Sequence, residues 1–145
     1  MEPYSKPLPK PTRIDKPYWE GLSRHELLVQ RCDDCRVFQW YPREMCSNCT
    51  SFSLSWTPVS PDGTLYSFTT QHHSTGFKFD QDLPYTVALV QLSDVPELRL
   101  VGYFDNAEAD PVRIGMPVEG VFVNATSEVT FLHFRPARND PERKS

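Results

Sequence analysis

The chain has 145 residues, 39% of them hydrophobic and 12% aromatic, which is enough material for one domain or two very small ones. Its formal net charge of −4 argues against nucleic acid as the main partner, because phosphate binding usually needs a strongly basic patch. No stretch approaches the roughly 20 apolar residues of a membrane span, and residues 1–17 lack the apolar core of a secretory signal. We therefore expect a cytoplasmic chain, in which four cysteines are typical of metal ligation rather than of disulfides.

The N-terminal residues predict an extended segment followed by a short helix. Residues 1–17 contain five prolines and are expected to form an extended Pro-rich arm, which either is disordered or lies along a partner. Pro17 is predicted at the first helical position, with Asp15 available as a nearby cap. Residues 25–31 are expected to continue as a strand into the first cysteine pair. The helical segment and the cysteine-containing segment together define a first unit over residues 18–52.

The rest of the chain predicts β-structure. After the turn signal Pro61-Asp62-Gly63, five segments rich in β-branched and aromatic residues follow one another with no long helix between them. These predicted strands cover residues 64–71, 85–92, 98–104, 117–123 and 129–134. Their number and spacing indicate a small barrel over residues 53–137, and the OB-fold is the five-stranded member of that class. A sandwich or an SH3-like barrel is the alternative. The charged tail, residues 138–145, is expected to be disordered.

Four cysteines form two closely spaced pairs. Cys32-x-x-Cys35 and Cys46-x-x-Cys49 are separated by ten residues. Two residues between thiols allow both sulfurs of a pair to reach one ion, and a connecting hairpin brings the second pair opposite the first. Zn²⁺ favours this tetrahedral arrangement of four thiolates, so we predict one structural zinc ion with no open coordination position. The alternatives are a rubredoxin-type iron site, two disulfides or a redox pair, and no βαβ pattern supports the last.

The residues around the two cysteine pairs depart from an ideal ribbon. Glycine is common after the second cysteine of such a pair because the chain turns sharply there, and this sequence has Arg36 and Thr50 instead. Four thiolates around Zn²⁺ also leave a net charge of −2. Arg31, Arg36 and Arg43 are close enough in sequence to offset that charge, although each is equally consistent with solvated surface.

Several short strings, in their order and spacing, resemble the acyl-CoA-associated zinc-ribbon/OB-fold family, long known as a domain of unknown function. They are Tyr18-Trp19-Glu20, Tyr41-Pro42-Arg43, Gly63-Thr64-Leu65-Tyr66-Ser67-Phe68-Thr69, Pro84-Tyr85-Thr86-Val87, Ile114-Gly115-Met116-Pro117 and Phe134-Arg135-Pro136. The resemblance implies a mainly β fold with a short N-terminal helix, a rubredoxin-like zinc ribbon and a C-terminal OB-fold. Ser47, where proline is common in this family, is a further departure.

The same resemblance implies a role. Members of the family accompany thiolase-superfamily enzymes: thiolases, relatives of hydroxymethylglutaryl-CoA synthase, and lipid-transfer-type aldolases of steroid side-chain breakdown. The small subunit scaffolds the partner and helps to line the acyl-CoA channel, while the partner supplies the catalytic residues. We therefore expect a non-catalytic accessory subunit of an acyl-CoA thiolase or aldolase in a hetero-oligomer.

The residues themselves contain no evident catalytic set. His72 and His73 are adjacent, so on a strand they would point to opposite faces, and neither has a partner at motif spacing. In the loop 76–80, an aromatic ring could stack on adenine and a cation could meet a phosphate; alternatively, the rings pack into the barrel or a partner. The candidate acyl-CoA contacts are His72, Phe77, Lys78, Phe79 and Arg113.

Two other function classes are kept as alternatives. A single-stranded nucleic-acid-binding module is possible because both a zinc ribbon and an OB-fold occur in such proteins, although the acidic balance disfavours it. A freestanding zinc enzyme would need an open metal position, which four thiolate ligands do not leave.

Overall fold

The computed structural model describes residues 6–73, 83–105 and 111–138. Within them the fold is mainly β, with one short helix and eight strands. In chain order the elements are α1 (Lys16–Ser23), β1 (Leu27–Cys32), β2 (Phe38–Gln39), β3 (Leu54–Val59), β4 (Gly63–Gln71), β5 (Tyr85–Leu92), β6 (Arg99–Phe104), β7 (Pro117–Asn124) and β8 (Thr130–Pro136). No helix in this described part has the length or the apolar character needed to cross a bilayer.

The helix forms where the sequence predicts it, with two local differences. It begins at Lys16, so Pro17 occupies the second helical position rather than the first, where its missing N–H is equally harmless. Asp15 occupies the N-cap position, but its side chain does not cap the helix. Its carboxylate instead accepts hydrogen bonds from the backbone N–H (2.6 Å) and the hydroxyl (3.0 Å) of Thr12, which precedes the helix. Leu22 is fully buried and fixes the helix against the rest of the protein.

The first sheet has three antiparallel strands in the order β2-β1-β3. The predicted strand into the first cysteine pair is β1, and its Leu27 and Val29 are buried. The edge strand β3 pairs with β1 along its whole length, from Leu27 opposite Val59 to Cys32 opposite Leu54. The sequence pattern did not predict β3, because Pro58 argues against a central strand. An edge strand tolerates proline, since one of its edges needs no hydrogen-bonding partner.

The remaining five strands form a closed barrel in the order β4-β5-β6-β8-β7. All neighbouring pairs are antiparallel except β6 and β8, which run parallel where Phe104 faces Phe134. All five strands were predicted from the sequence, within two residues at each end. The long strand β4 carries a bulge between Leu65 and Ser67, which lets it bend around the barrel and pair with both β5 and β7.

One hydrophobic core runs through both sheets. The helix and β1 contribute to the same buried cluster as the barrel strands, so the ribbon and the barrel stabilise each other. Its members are Leu22, Leu27, Val29, Leu65, Ala88, Val90, Leu92, Val95, Leu98, Leu100, Phe104, Met116, Val118, Leu132 and Phe134. Phe134 lies where β8 meets β6 and is completely buried. A Cβ placed on the neighbouring Gly102 would lie 2.7 Å from its ring, so this position has no room for a side chain.

The Gly102→Ala substitution should therefore destabilise the barrel. The added methyl group forces Phe134 or β6 to shift, and such overpacking typically costs about 1–3 kcal/mol. The free energy of unfolding, measured in urea, should fall by this amount. Val101→Thr is the matched control, because Val101 is the preceding residue on the same strand and 55% exposed, so its change should stay within about 0.5 kcal/mol. Equal stability of Gly102→Ala and the wild type would contradict the packing described here.

Candidate metal centre

The sulfurs of Cys32, Cys35, Cys46 and Cys49 converge on one point. All four lie within 4.8 Å of one another, and none is in a disulfide. Two separations between the pairs are 3.5 Å, from Cys32 to Cys49, and 3.6 Å, from Cys35 to Cys46. A tetrahedral ion with Zn–S bonds of about 2.3 Å places its sulfurs roughly 3.8 Å apart. The spacing and the chemistry of this donor set therefore fit a single thiophilic metal ion.

The first cysteine pair is built on the end of β1. The backbone N–H of Cys32 donates to the carbonyl of Val37 (3.0 Å), and the N–H of Arg36 donates back to the carbonyl of Cys32 (3.0 Å). The N–H of Cys35 points at the sulfur of Cys32, at 3.4 Å. Arg36 closes this turn with φ +68°, the left-handed conformation that the sequence led us to expect at a position where glycine is common.

The second cysteine pair repeats the same turn. The N–H of Thr50 donates to the carbonyl of Cys46 (3.0 Å), and the N–H of Cys46 donates to the carbonyl of Ser51 (2.8 Å). Two further N–H groups, of Asn48 and Cys49, face the sulfur of Cys46 at 3.3 and 3.5 Å. Thr50 has φ +64°, so both turns end in a left-handed residue other than glycine, at roughly 1–2 kcal/mol each.

The thiols of Cys35 and Cys49 have pKa values shifted in opposite directions. Hydrogen bonds from the Asn48 side chain and the Val37 backbone lower the pKa of Cys35 to about 6. The Ser51 backbone also acts to lower the pKa of Cys49, but hydrogen bonding to the Cys32 sulfur and burial outweigh it and raise that pKa to about 12. Metal ligation requires every thiol to ionise, so binding of a cation at this cluster would release the protons that the thiols carry.

Charged residues around the first pair connect it to β3. The carboxylate of Asp33 accepts hydrogen bonds from the hydroxyls of Ser53 (2.9 Å) and Ser55 (2.6 Å), which lower its pKa. Of the three arginines that the sequence suggested, Arg31 donates from Nε to the carbonyl of Arg36 (2.9 Å) and lies over a phenylalanine ring. Arg36 and Arg43 are exposed. Their role in offsetting the charge of the site stays a prediction.

Two buried glutamines support the site and were missed by sequence reasoning. Gln30 and Gln39 are only 4% and 6% exposed, and the Gln39 amide nitrogen donates to the Gln30 amide oxygen (2.8 Å). Gln30 also accepts from the N–H of Arg43 and donates to its carbonyl, both at 2.9 Å. Gln39 accepts from the N–H of Ser47 (3.0 Å) and faces the carbonyl of Met45 (3.4 Å). The only signal in the sequence is that Gln30 lies between Leu28 and Cys32 on the face of β1 opposite Leu27 and Val29.

The candidate acyl-CoA contacts are only partly within the described residues. His72 is exposed directly after the end of β4, and Arg113 is half-buried before β7, where its N–H faces the sulfur of Met116. Phe77, Lys78 and Phe79 lie outside the described residues. In the described part of the chain, the four cysteines are the one group of three or more potential metal ligands.

Comparison with known proteins agrees with this architecture. The family model described as "ChsH2, rubredoxin-like zinc ribbon domain" matches residues 19–55, and "ChsH2, C-terminal OB-fold domain" matches residues 56–123. Among solved structures, a chain of the Ltp2-ChsH2(DUF35) aldolase superposes with a TM-score of 0.79 at 32% sequence identity. That similarity covers 89% of this chain and 98% of the other.

Three curated relatives are similar in sequence. The probable enoyl-CoA hydratase alpha subunit of Thermomonospora curvata is 33% identical over 132 residues, and the 3-oxo-4,17-pregnadiene-20-carboxyl-CoA hydratase alpha subunit of Mycobacterium tuberculosis is 27% identical over 124. The matches cover 91% and 86% of this chain but only 40% and 38% of those relatives. A DUF35 domain-containing scaffold protein of Methanocaldococcus jannaschii is 28% identical over 106 residues, 72% of this chain and 73% of that protein. The chain therefore belongs to the DUF35 family, as a ChsH2-like protein in which a rubredoxin-like zinc ribbon precedes an OB-fold.

Proposed function

We propose that this chain is a non-catalytic accessory subunit of an acyl-CoA thiolase or aldolase complex. It scaffolds a thiolase-fold partner and helps to form the acyl-CoA channel between the two proteins. The observation that carries the proposal is the structural similarity of this protein to a chain of the Ltp2-ChsH2(DUF35) aldolase. The similarity covers 98% of that chain. Two of the relatives are named as alpha subunits and one as a scaffold protein, which supports a role inside a larger assembly.

The proposal includes one structural zinc ion per chain, held by Cys32, Cys35, Cys46 and Cys49. Bound there, Zn²⁺ neutralises the thiolates and joins the two turns that carry them. Four sulfur ligands leave no position for water or substrate. The metal site therefore contributes to the folding of the ribbon, and the carbon–carbon bond chemistry is assigned to the partner.

The functional division of the chain follows from this role. We propose that residues 1–17 act as an arm, residues 18–52 as the zinc-binding unit, residues 53–137 as the OB-fold and residues 138–145 as a tail. The complex would act in the cytoplasm. There the acyl-CoA would lie at the shared interface, in contact with His72, Phe77, Lys78, Phe79 and Arg113. Steroid acyl-CoA is one candidate substrate, because a relative's name includes a pregnadiene carboxyl-CoA.

A second candidate function has one structural observation in its favour. The rings of Tyr85 and Tyr103 stack at 5.4 Å on the outer side of β5 and β6. This is the face on which OB-folds bind oligonucleotides, and aromatic rings there can stack on bases. The net charge of −4 disfavours the function, so we rank single-stranded nucleic-acid binding second.

Metal analysis tests the zinc proposal. Protein purified under reducing conditions should contain about one zinc per chain, and Cys46→Ser should lose most of the zinc and with it solubility or assembly, because structural zinc contributes folding energy. Ser47→Ala is the control, since it changes the next residue without removing a ligand, and it should retain the metal. A wild-type protein free of zinc, or a folded Cys46→Ser variant with full zinc content, would overturn the proposal.

Reconstitution tests the subunit proposal. The chain should co-elute with a thiolase-fold partner protein when the two are co-expressed, as measured by size-exclusion chromatography with light scattering. Carbon–carbon bond cleavage or formation on acyl-CoA should require the partner, because we assign the catalytic residues to that protein. Full turnover by the isolated chain, or failure of the two proteins to associate at micromolar concentration, would reject this function.

An oligonucleotide titration separates the two candidate functions. We expect no micromolar binding of fluorescent single-stranded DNA or RNA at 0.15 M salt, because the acidic chain offers few phosphate contacts. The measurement is fluorescence anisotropy at several salt concentrations. Micromolar affinity with a steep salt dependence would instead favour the second candidate and demote the first.

A further inference from the structure

The second cysteine pair is held in place differently from the first. The first begins with Cys32, the last residue of β1, whereas the second lies in residues 40–53, between the end of β2 and the start of β3. Its own backbone bonds, from Cys46 to Ser51 and from Thr50 to Cys46, are local to the turn. Something other than the strand ladder must therefore fix this turn relative to the sheet.

The amides of Gln30 and Gln39 supply that connection. Gln30 lies on the central strand β1 and Gln39 is the last residue of β2, and the two are opposite one another in the sheet. Their side chains form hydrogen bonds with each other and with the backbone of Arg43, Met45 and Ser47. The first two of these residues precede Cys46 in the sequence, and the third follows it directly. All of these bonds are shielded from water by the burial of both side chains.

The bonding pattern requires an amide at both positions. The Gln30 oxygen accepts two hydrogen bonds while its nitrogen donates one, and the Gln39 nitrogen faces two acceptors while its oxygen accepts one. Only a group that donates and accepts at the same end can do this. A carboxylate has no proton to donate and would place its charge, nearly buried, against carbonyl oxygens.

We infer that the Gln30–Gln39 pair positions the second cysteine pair for metal binding. By fixing Arg43 and Ser47, the two amides hold Cys46 and Cys49 opposite Cys32 and Cys35 before a metal ion arrives. The glutamines do not ligate the ion; they act through the backbone that carries the ligands. The inference rests on the proposed metal site and names residues that no thiol-spacing motif contains.

The expected consequence is a loss of metal affinity with all four ligands intact. Groups that orient metal ligands typically contribute about 10–100-fold to metal affinity. Gln39→Glu keeps the shape of the side chain but removes both donations, so zinc affinity should fall by this factor. The rate of zinc loss to a chelator should rise correspondingly, because the second pair leaves the metal more often.

The experiment compares Gln39→Glu with Gln91→Glu in the full chain. Gln91 makes a similar bond from its amide nitrogen to the carbonyl of Pro96 (2.8 Å), but it lies on the barrel. The probe is Zn²⁺ alone, measured by competition with a chromophoric chelator, and Co²⁺ absorption reports the four-thiolate geometry. Zinc affinity and zinc-loss rate should change in Gln39→Glu and stay at wild-type values in Gln91→Glu.

A purely structural role for the pair would give a different result. It would lower the unfolding free energy while leaving zinc affinity within about threefold of the wild type, and that outcome overturns the inference. If Gln39→Glu does not fold, Gln39→Met removes the donors without adding charge and takes its place under the same criteria. A wild-type chain that binds neither Zn²⁺ nor Co²⁺ would instead reject the proposed metal site itself, so the two failures are distinguishable.

Discussion

Mutual repulsion among four sulfur ligands is the constraint around which the N-terminal half of the protein is built. Two unit charges about 4 Å apart repel by roughly 4 kcal/mol at an effective dielectric constant of 20, and the four sulfurs all lie within 4.8 Å. A central cation removes most of that repulsion but leaves a net charge of −2. The backbone N–H groups that face the sulfurs of Cys32 and Cys46 are arranged to disperse what remains. Arg36 and Thr50 accept left-handed conformations so that both turns can present these donors.

This local constraint reaches the barrel through shared packing. The strand that ends at Cys32 also contributes Leu27 and Val29 to the common core. Just after the end of the helix, the His25 ring stacks on Phe122 of β7 with ring centroids 5.1 Å apart. The ribbon and the barrel are therefore not independent folding units, and a change at the metal site is expected to destabilise both.

Most of the barrel could be predicted because its strands carry their own signals. Each has alternating or continuous apolar residues bounded by turn residues, and these local patterns survive in the closed sheet. The short strand β2 and the edge strand β3 could not be predicted in this way. Two residues give β2 no periodicity, and β3 contains Pro58, so both depend on pairing with β1, which is a tertiary contact.

The metal centre shows the same division between local and tertiary information. Cysteine spacing predicts the ligands because two residues between thiols is itself a geometric requirement, and the sharp turns at Arg36 and Thr50 follow from it. Gln30 and Gln39 were missed because a single glutamine carries no motif and their bonds join positions 6 to 13 residues apart. The helix begins at Lys16, one residue earlier than predicted, because lysine is as acceptable as proline in the first turn of a helix.

The filled interior of the barrel bears on where a ligand can bind. Leu65, Val90, Leu100 and Phe134 are at most 2% exposed and occupy the space inside the five strands. A barrel of this size is filled by its own side chains, so an acyl chain has no room within it. Four sulfurs around one tetrahedral ion would likewise leave no position for a ligand. In the role proposed above, the described residues therefore offer acyl-CoA only their outer surface, where a partner subunit would shield the acyl group from water.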